Sequence, residues 1–374
     1  MRKAVAEDLR SFIIALKIIP LAHTYFGRFG EPETFMRLSR RKFIIAGSAT
    51  AAGAAVGGYA LYRMGKSIRP LESPELSEVY LIDASDRVLG IKKLFEKFSS
   101  IDFRGAEVAL KANYNSADPF PASTHIDTLE TIIREMNLAG ASRIILAERS
   151  GMGDTRRVLE DRGVMKLADK LGFEIVILDD VPADGWQEIN PDGLHWLRGF
   201  KIAKIFTETK RVVQTCCLKT HRFGGHITMS LKNSVGLVTK KDPDGIYDYM
   251  AELHTSIFQR LMIAEINRFY KVDLIIMDGT EALVRGGPDK GELVKPNLIL
   301  ASKDRIAIDA VGVALLRSYG TTSEVMKGKI FELEQIHRAT ELGVGIDSPS
   351  KIKLIPLDRE TEKTSQTILK ILNA

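Results

Sequence analysis

VVQTCCLKTHRFGGHITMSLKN, residues 212–233, opens with small and apolar residues that lack the polar alternation of a half-buried strand. A strand with such residues on both faces is covered on both faces, as in parallel sheets layered between helices. The run then turns to chemistry, with Lys219, His221, His226, Lys232 and Asn233 inside fifteen residues and the pair Gly224–Gly225 between them. A strand-to-loop junction needs none of these side chains to fold. A site for an anion or a metal uses nearly all of them.

The pattern recurs along the chain. VYLID from residue 79, EVALKAN from 107, RIILAE from 143, FEIVILDD from 173, VDLIIMDG from 272 and NLILAS from 297 read as further strands. Amphipathic segments at 124–139, 155–171, 249–269 and 304–318 separate them. This alternation predicts an α/β domain over 79–357 with Rossmann-like layers, a mostly parallel sheet and helices on both faces. A linker over 67–78 precedes it and a C-terminal tail helix over 358–374 follows it.

Sheets of this kind bind ligands beyond the carboxyl ends of their strands. Several predicted strands end there in polar residues: Lys111 and Asn113, Glu148, Lys219 and His221, and Asp278. From residue type alone, His221 and Lys232 are the catalytic candidates. Lys111, Asn113, Lys219 and Asn233 are candidates for holding an anionic substrate. His221 and His226 could ligate a metal, with Asp278 and Glu281 holding a cation or orienting a histidine. In LKANYNSADPFPASTH (110–125), Ser123 or Thr124 is expected to cap a helix whose first turn carries His125, with a pKa lowered by the helix dipole. DGTEALVRGGPDKG (278–291) has the glycine density of a phosphate cradle without a nucleotide fingerprint. Asp309 lies one and a half turns into a predicted helix, where capping does not explain it.

Composition excludes some classes of function. The net charge is +5, but residues 1–70 hold 12 of the 53 Lys and Arg and 4 of the 48 Asp and Glu, leaving 41 basic and 44 acidic residues elsewhere. The body therefore has no basic surplus for nucleic acid. Its two cysteines, Cys216 and Cys217, fit neither an iron–sulfur cluster nor a zinc site and read as core residues.

The basic leader contains RLSRRKFIIAG (37–47) and nineteen uncharged residues from Phe43 to Leu61. Ser39, Arg40, Arg41 and Phe43 match a twin-arginine export signal. That reading places the start at Met36, leaves 1–35 as an upstream misassignment, and makes 36–66 a signal that stays uncleaved as an anchor helix. It implies the twin-arginine translocase as a partner, and a location in the periplasm or on the outer face of the cytoplasmic membrane.

The ordered set KAN (111–113), KTH (219–221), TMSLKN-x-x-G (228–236), MDG-x-x-A (277–282) with GGP (286–288), and LILAS-x-D-x-x-AIDAVG (298–312) resembles a large bacterial and archaeal family classed as a domain of unknown function. Many members of that family are fused to ferredoxin-type clusters or carry twin-arginine signals. The cysteines of such clusters are absent here. A fainter similarity is to the nickel-pincer lactate racemases, in which a lysine carries the cofactor between metal-binding histidines. His221, Lys232 and His254 stand in that order, which adds His254 to the metal candidates. The expectation is an exported enzyme with a metal or organometallic cofactor, nickel or another transition metal. It would act on a small anion recognised by Lys111 or Lys219, by proton abstraction next to a carboxylate with a histidine as base. The alternative is a non-catalytic anion- or metal-binding protein serving a redox or maturation partner in the membrane.

Overall fold

The computed structural model describes residues 57–59, 61–151 and 153–374. Arg40 and Arg41, and most of the leader with them, lie outside the described residues. Among those described, no helix is long and apolar enough to cross a membrane.

Each of the seven apolar runs forms a strand of one ten-stranded sheet. The strands are β1 (Ser77–Asp83), β2 (Glu107–Lys111), β3 (Arg143–Glu148), β4 (Glu174–Ile177), β5 (Trp186–Ile189), β6 (Phe200–Ala203), β7 (Arg211–His221), β8 (His226–Thr228), β9 (Leu274–Gly286), β10 (Gly291–Val294), β11 (Leu298–Ser302) and β12 (Ile352–Pro356). The order across the sheet is β12-β1-β11-β9-β7-β2-β3-β4, with β8 paired to β7, β10 paired to β9, and β5–β6 forming a separate hairpin. Strands β9, β7, β2, β3 and β4 are mutually parallel, and β11 runs antiparallel to both β9 and β1. A parallel return needs a helical crossover, whereas β9 passes to β11 through the short β10 hairpin, so β11 runs the other way.

Ten helices matter for the argument: α1 (Arg87–Lys97), α2 (Ile126–Leu138), α3 (Thr155–Asp161), α4 (Val164–Leu171), α5 (Ser230–Asn233), α6 (Tyr249–Thr255), α7 (Gln259–Ile266), α8 (Arg305–Ser318), α9 (Glu334–Glu341) and α10 (Arg359–Leu372). The amphipathic stretch 155–171 is therefore two helices parted around Gly163, and 249–269 breaks at 256–258. Strand residues divide among three cores, one of which takes Ala109, Ala147 and Val212 against α7. Val79, Leu81, Met277, Leu298 and Leu300 pack with α8, α9 and α10, while Ile82, Ile276, Ile299 and Ala301 pack with α1, α2 and α4. Helix α8 is buried on every side from Arg305 to Leu316, with Arg305 and Asp309 among its otherwise mostly apolar residues.

The glycine-dense segment 278–291 is the end of β9 and its hairpin to β10. At Gly287, with φ +53°, a Cβ would stand 2.1 Å from the Thr220 carbonyl oxygen. Glycine is needed there so that the hairpin can lie against β7. Packing accounts for this glycine, and the hairpin loop is closed by the Gly287 amide donating to the Lys290 carbonyl at 2.8 Å.

Candidate functional site

Beyond Cys217 the pairing of β7 with β9 jumps from Asp278 to Ala282, a bulge that sets Gly279, Thr280 and Glu281 outside the register. Strand β7 continues past it to His221, and the chain folds back through β8 into the one-turn helix α5. A cleft of about 340 Å³ opens at the carboxyl ends of β2, β3 and β7. Lys111, Arg149, Lys219, His221, Lys232 and His254 contribute to its wall, with Asn113 and Asn233.

Five lysines line the cleft: Lys240 pairs with Asp179 at 2.9 Å and Lys241 is exposed, and of the other three, Lys111 and Lys219 are fully engaged. Lys111 Nζ donates to both oxygens of Glu148 at 2.8 and 2.9 Å, to the Ala112 carbonyl at 2.6 Å, and more weakly to Asn233 Oδ1 at 3.4 Å. Burial pushes the Glu148 carboxyl up and the Lys111 amine down, and the contact between them opposes both shifts. Lys219 is 1% exposed and has neutral acceptors only: Asn113 Oδ1 at 2.7 Å, the Pro121 carbonyl at 3.0 Å and the Ala122 carbonyl. An ammonium has three protons to donate, so neither lysine has a spare one. Asn113 and Asn233 are tied to these lysines, and Asn233 Nδ2 also donates to the Thr215 carbonyl at 3.2 Å. The four residues expected to hold an anion are thus engaged within the protein, Lys111 chiefly with Glu148 and Lys219 with Asn113 and two carbonyls.

The unsatisfied groups are different ones. Arg149 is 4% exposed; its Nη2 donates to the Val235 carbonyl at 2.7 Å, but Nε and Nη1 have no protein partner. Burial lowers its pKa to about 10, so it remains cationic at neutral pH. His221 is buried with its Nδ1 unpartnered. Burial, then Lys232 and Lys219, hold its pKa far below the usual range, so the ring is neutral. Lys232 is partly exposed and none of the hydrogen bonds or ion pairs formed among the described residues engages its Nζ. Burial, then Lys219 and Arg149, lower its pKa to about 8. Among the described residues lining the cleft the one carboxylate is Asp248, which accepts the Ala251 amide at 2.7 Å and caps α6.

Lys232 is held in place from two sides. Asp309, buried within α8, accepts the Ser230 and Leu231 amides at 2.8 and 2.9 Å and so anchors α5. This is the use of a buried carboxylate that capping of its own helix could not explain. At Gly225 a Cβ would lie 2.8 Å from Lys232 Cε and 3.0 Å from His221 Nδ1, so the missing side chain lets these two approach.

Other candidates lie elsewhere. Asp278 faces α1 and α2, where Arg87 Nε donates to it at 2.9 Å and Thr128 and Thr280 bond to it. Glu281 pairs with Lys295 at 3.3 Å. His226, at φ +59°, interacts with Arg260, Glu324 and Glu334 and is not part of the cleft wall. His254 stands on the wall with its Nδ1 against the Met250 carbonyl at 2.7 Å. His125 is itself the N-cap of α2, accepting the Asp127 amide through Nδ1, so neither Ser123 nor Thr124 is the cap. Its pKa is lowered by burial and then by Arg87. The expected metal set does not converge: His221 and His254 share the cleft, whereas His226 and Asp278 do not. Among the described residues no three of His, Cys, Asp and Glu form a metal-ligating group.

Arg149 went unnoticed in the sequence, although Glu148 beside it was visible as a polar strand end. The signal was the pair itself, two adjacent charges directly after RIILA.

A family model described as Domain of unknown function (DUF362) matches residues 108–314, whereas a search of the curated proteins finds no match. The matched region runs from β2 into α8 and contains every residue of the cleft wall together with Asp309. As it spans more than half of the sequence, this chain belongs to the DUF362 family.

Proposed function

We propose that the cleft binds a small anion, a carboxylate or phosphate compound, and acts on it. The observation that carries this reading is a surplus of unpaired charge: Arg149, Lys219 and Lys232 have no carboxylate partner, and Arg149 and Lys232 have protons to donate. A buried cation without a counterion is costly to the fold, so an incoming anion gains both Coulomb energy and charge-assisted hydrogen bonds. At 340 Å³ the cleft lies at the small end of ligand pockets.

In this reading Lys111 and Lys219 shape the site, and Arg149 with Lys232 meets the ligand. His221 is too weakly basic to take a proton near pH 7 and serves in this reading as a neutral hydrogen-bond partner. Lys232, with a pKa of about 8, has roughly a tenth of its molecules unprotonated at pH 7. We propose also that Arg40 and Arg41 direct export by the twin-arginine route, placing the domain outside the cytoplasm.

Titration calorimetry with inorganic phosphate and with malonate tests the binding reading. Saturable binding is expected, weakened about ten- to a hundredfold in Arg149→Met, as loss of a hydrogen bond to a charged group implies. No saturable binding of either probe sinks it. Binding without turnover of any small oxo or hydroxy acid would assign a non-catalytic carrier.

A further inference from the structure

We infer that Lys232 is a covalent nucleophile and that the ligand is a small oxo acid, whose carbonyl carbon its Nζ attacks while Arg149, with unpartnered protons on Nε and Nη1, holds the carboxylate. This rests on reading the cleft as an anion site and goes further by naming the substrate class and the bond.

Lys111, Lys219 and Lys232 divide sharply by their surroundings. Lys111 and Lys219 give their protons to fixed oxygens and are committed as ammonium donors. Lys232 has no such acceptor, and the charges that act on it, those of Lys219 and Arg149, are both positive. An amine acting as a base ends as an ammonium, and the described residues give that charge no acceptor. An amine acting as a nucleophile can end uncharged. Both of its protons pass to the carbonyl oxygen, which leaves as water, and C=N replaces C=O without oxidant or reductant. The neutral, unpartnered Nδ1 of His221, which flanks the same empty Cβ position of Gly225 as the Lys232 chain, can accept a hydrogen bond from the hydroxyl of the intermediate adduct. The Arg149 and Lys219 charges favour the oxyanion that precedes it.

Lys232 is also mounted as a nucleophile should be. Helix α5 is pinned by two amide bonds to Asp309, and Gly225 leaves the lysine chain a fixed track. Such support from outside the reacting groups is what holds a reactive amine in place.

The full chain treated with pyruvate, or with 2-oxoglutarate, and sodium borohydride tests this directly, because reduction converts an imine into a stable secondary amine. Intact mass should show one addition, peptide mapping should place it on Lys232, excess malonate should suppress it, and Lys232→Arg should abolish it. Calorimetry with the same oxo acids separates the two readings. Binding with no reduced adduct on Lys232 overturns the covalent step and leaves the anion site standing. Neither binding nor adduct overturns both. Labelling spread over surface lysines and unaffected by malonate likewise counts against Lys232.

Discussion

Asp309 accepts the amides of Ser230 and Leu231 from inside a buried helix, and burial raises its pKa to about 7 despite those two bonds. Unfolded, it titrates near the ordinary carboxyl value of about 3.9. Between these pH values the folded chain binds a proton that the unfolded chain has released, so this group's contribution to stability is complete below about 4 and is lost as pH rises through about 7. Asp309→Asn should flatten that part of the stability profile, measured by urea denaturation across pH 4–8. Asp309→Ala, which leaves two buried amides unpaired, should cost roughly 1–3 kcal/mol and weaken anion binding by releasing Lys232. A variant that loses stability but binds anions normally would show that α5 keeps its place without Asp309.

At the scale of elements, the ends of β2 and β3 are joined across the cleft floor by Lys111 and Glu148, each essentially buried. Their attraction is offset by the desolvation of both ions, but removing one leaves the other buried without a countercharge. Glu148→Gln and Lys111→Met should each cost about 3–5 kcal/mol, and the double variant should cost less than the two together, in a denaturant double-mutant cycle. Additive losses would mean that the pair is not coupled. The same scale explains why β7 reaches the site at all. The β9 bulge and the two hairpins carry it beyond the layered sheet, so that His221 and the following turn overhang the cleft.

For the whole molecule, the charge balance separates a basic leader from a body with a small acidic excess. Replacing Arg40 and Arg41 together by Lys should hold the protein in the cytoplasm, since lysine keeps the charge but not the planar guanidinium donors. Cell fractionation would show this, and unchanged export would remove the twin-arginine reading.

By itself the sequence determined the seven buried strands, the polar residues at their carboxyl ends and the family, because these depend on apolar runs and ordered motifs that survive in one dimension. Lys111, Lys219, His221 and Lys232 could be named as site residues for the same reason. Which of them is free to act could not be read, because it depends on partners far along the chain. Glu148 neutralises Lys111 from 37 positions away, and Asp309 fixes Lys232 from 79 positions beyond Ser230. Nor does strand position show which side of the sheet an end residue faces. Asp278 is bonded to Arg87 and lies apart from the histidines, while the missing side chain at Gly225 lets His221 and Lys232 approach. Periodicity marks which residues are buried, but pairing among buried polar groups is decided only when packing forces each to find an acceptor or do without one.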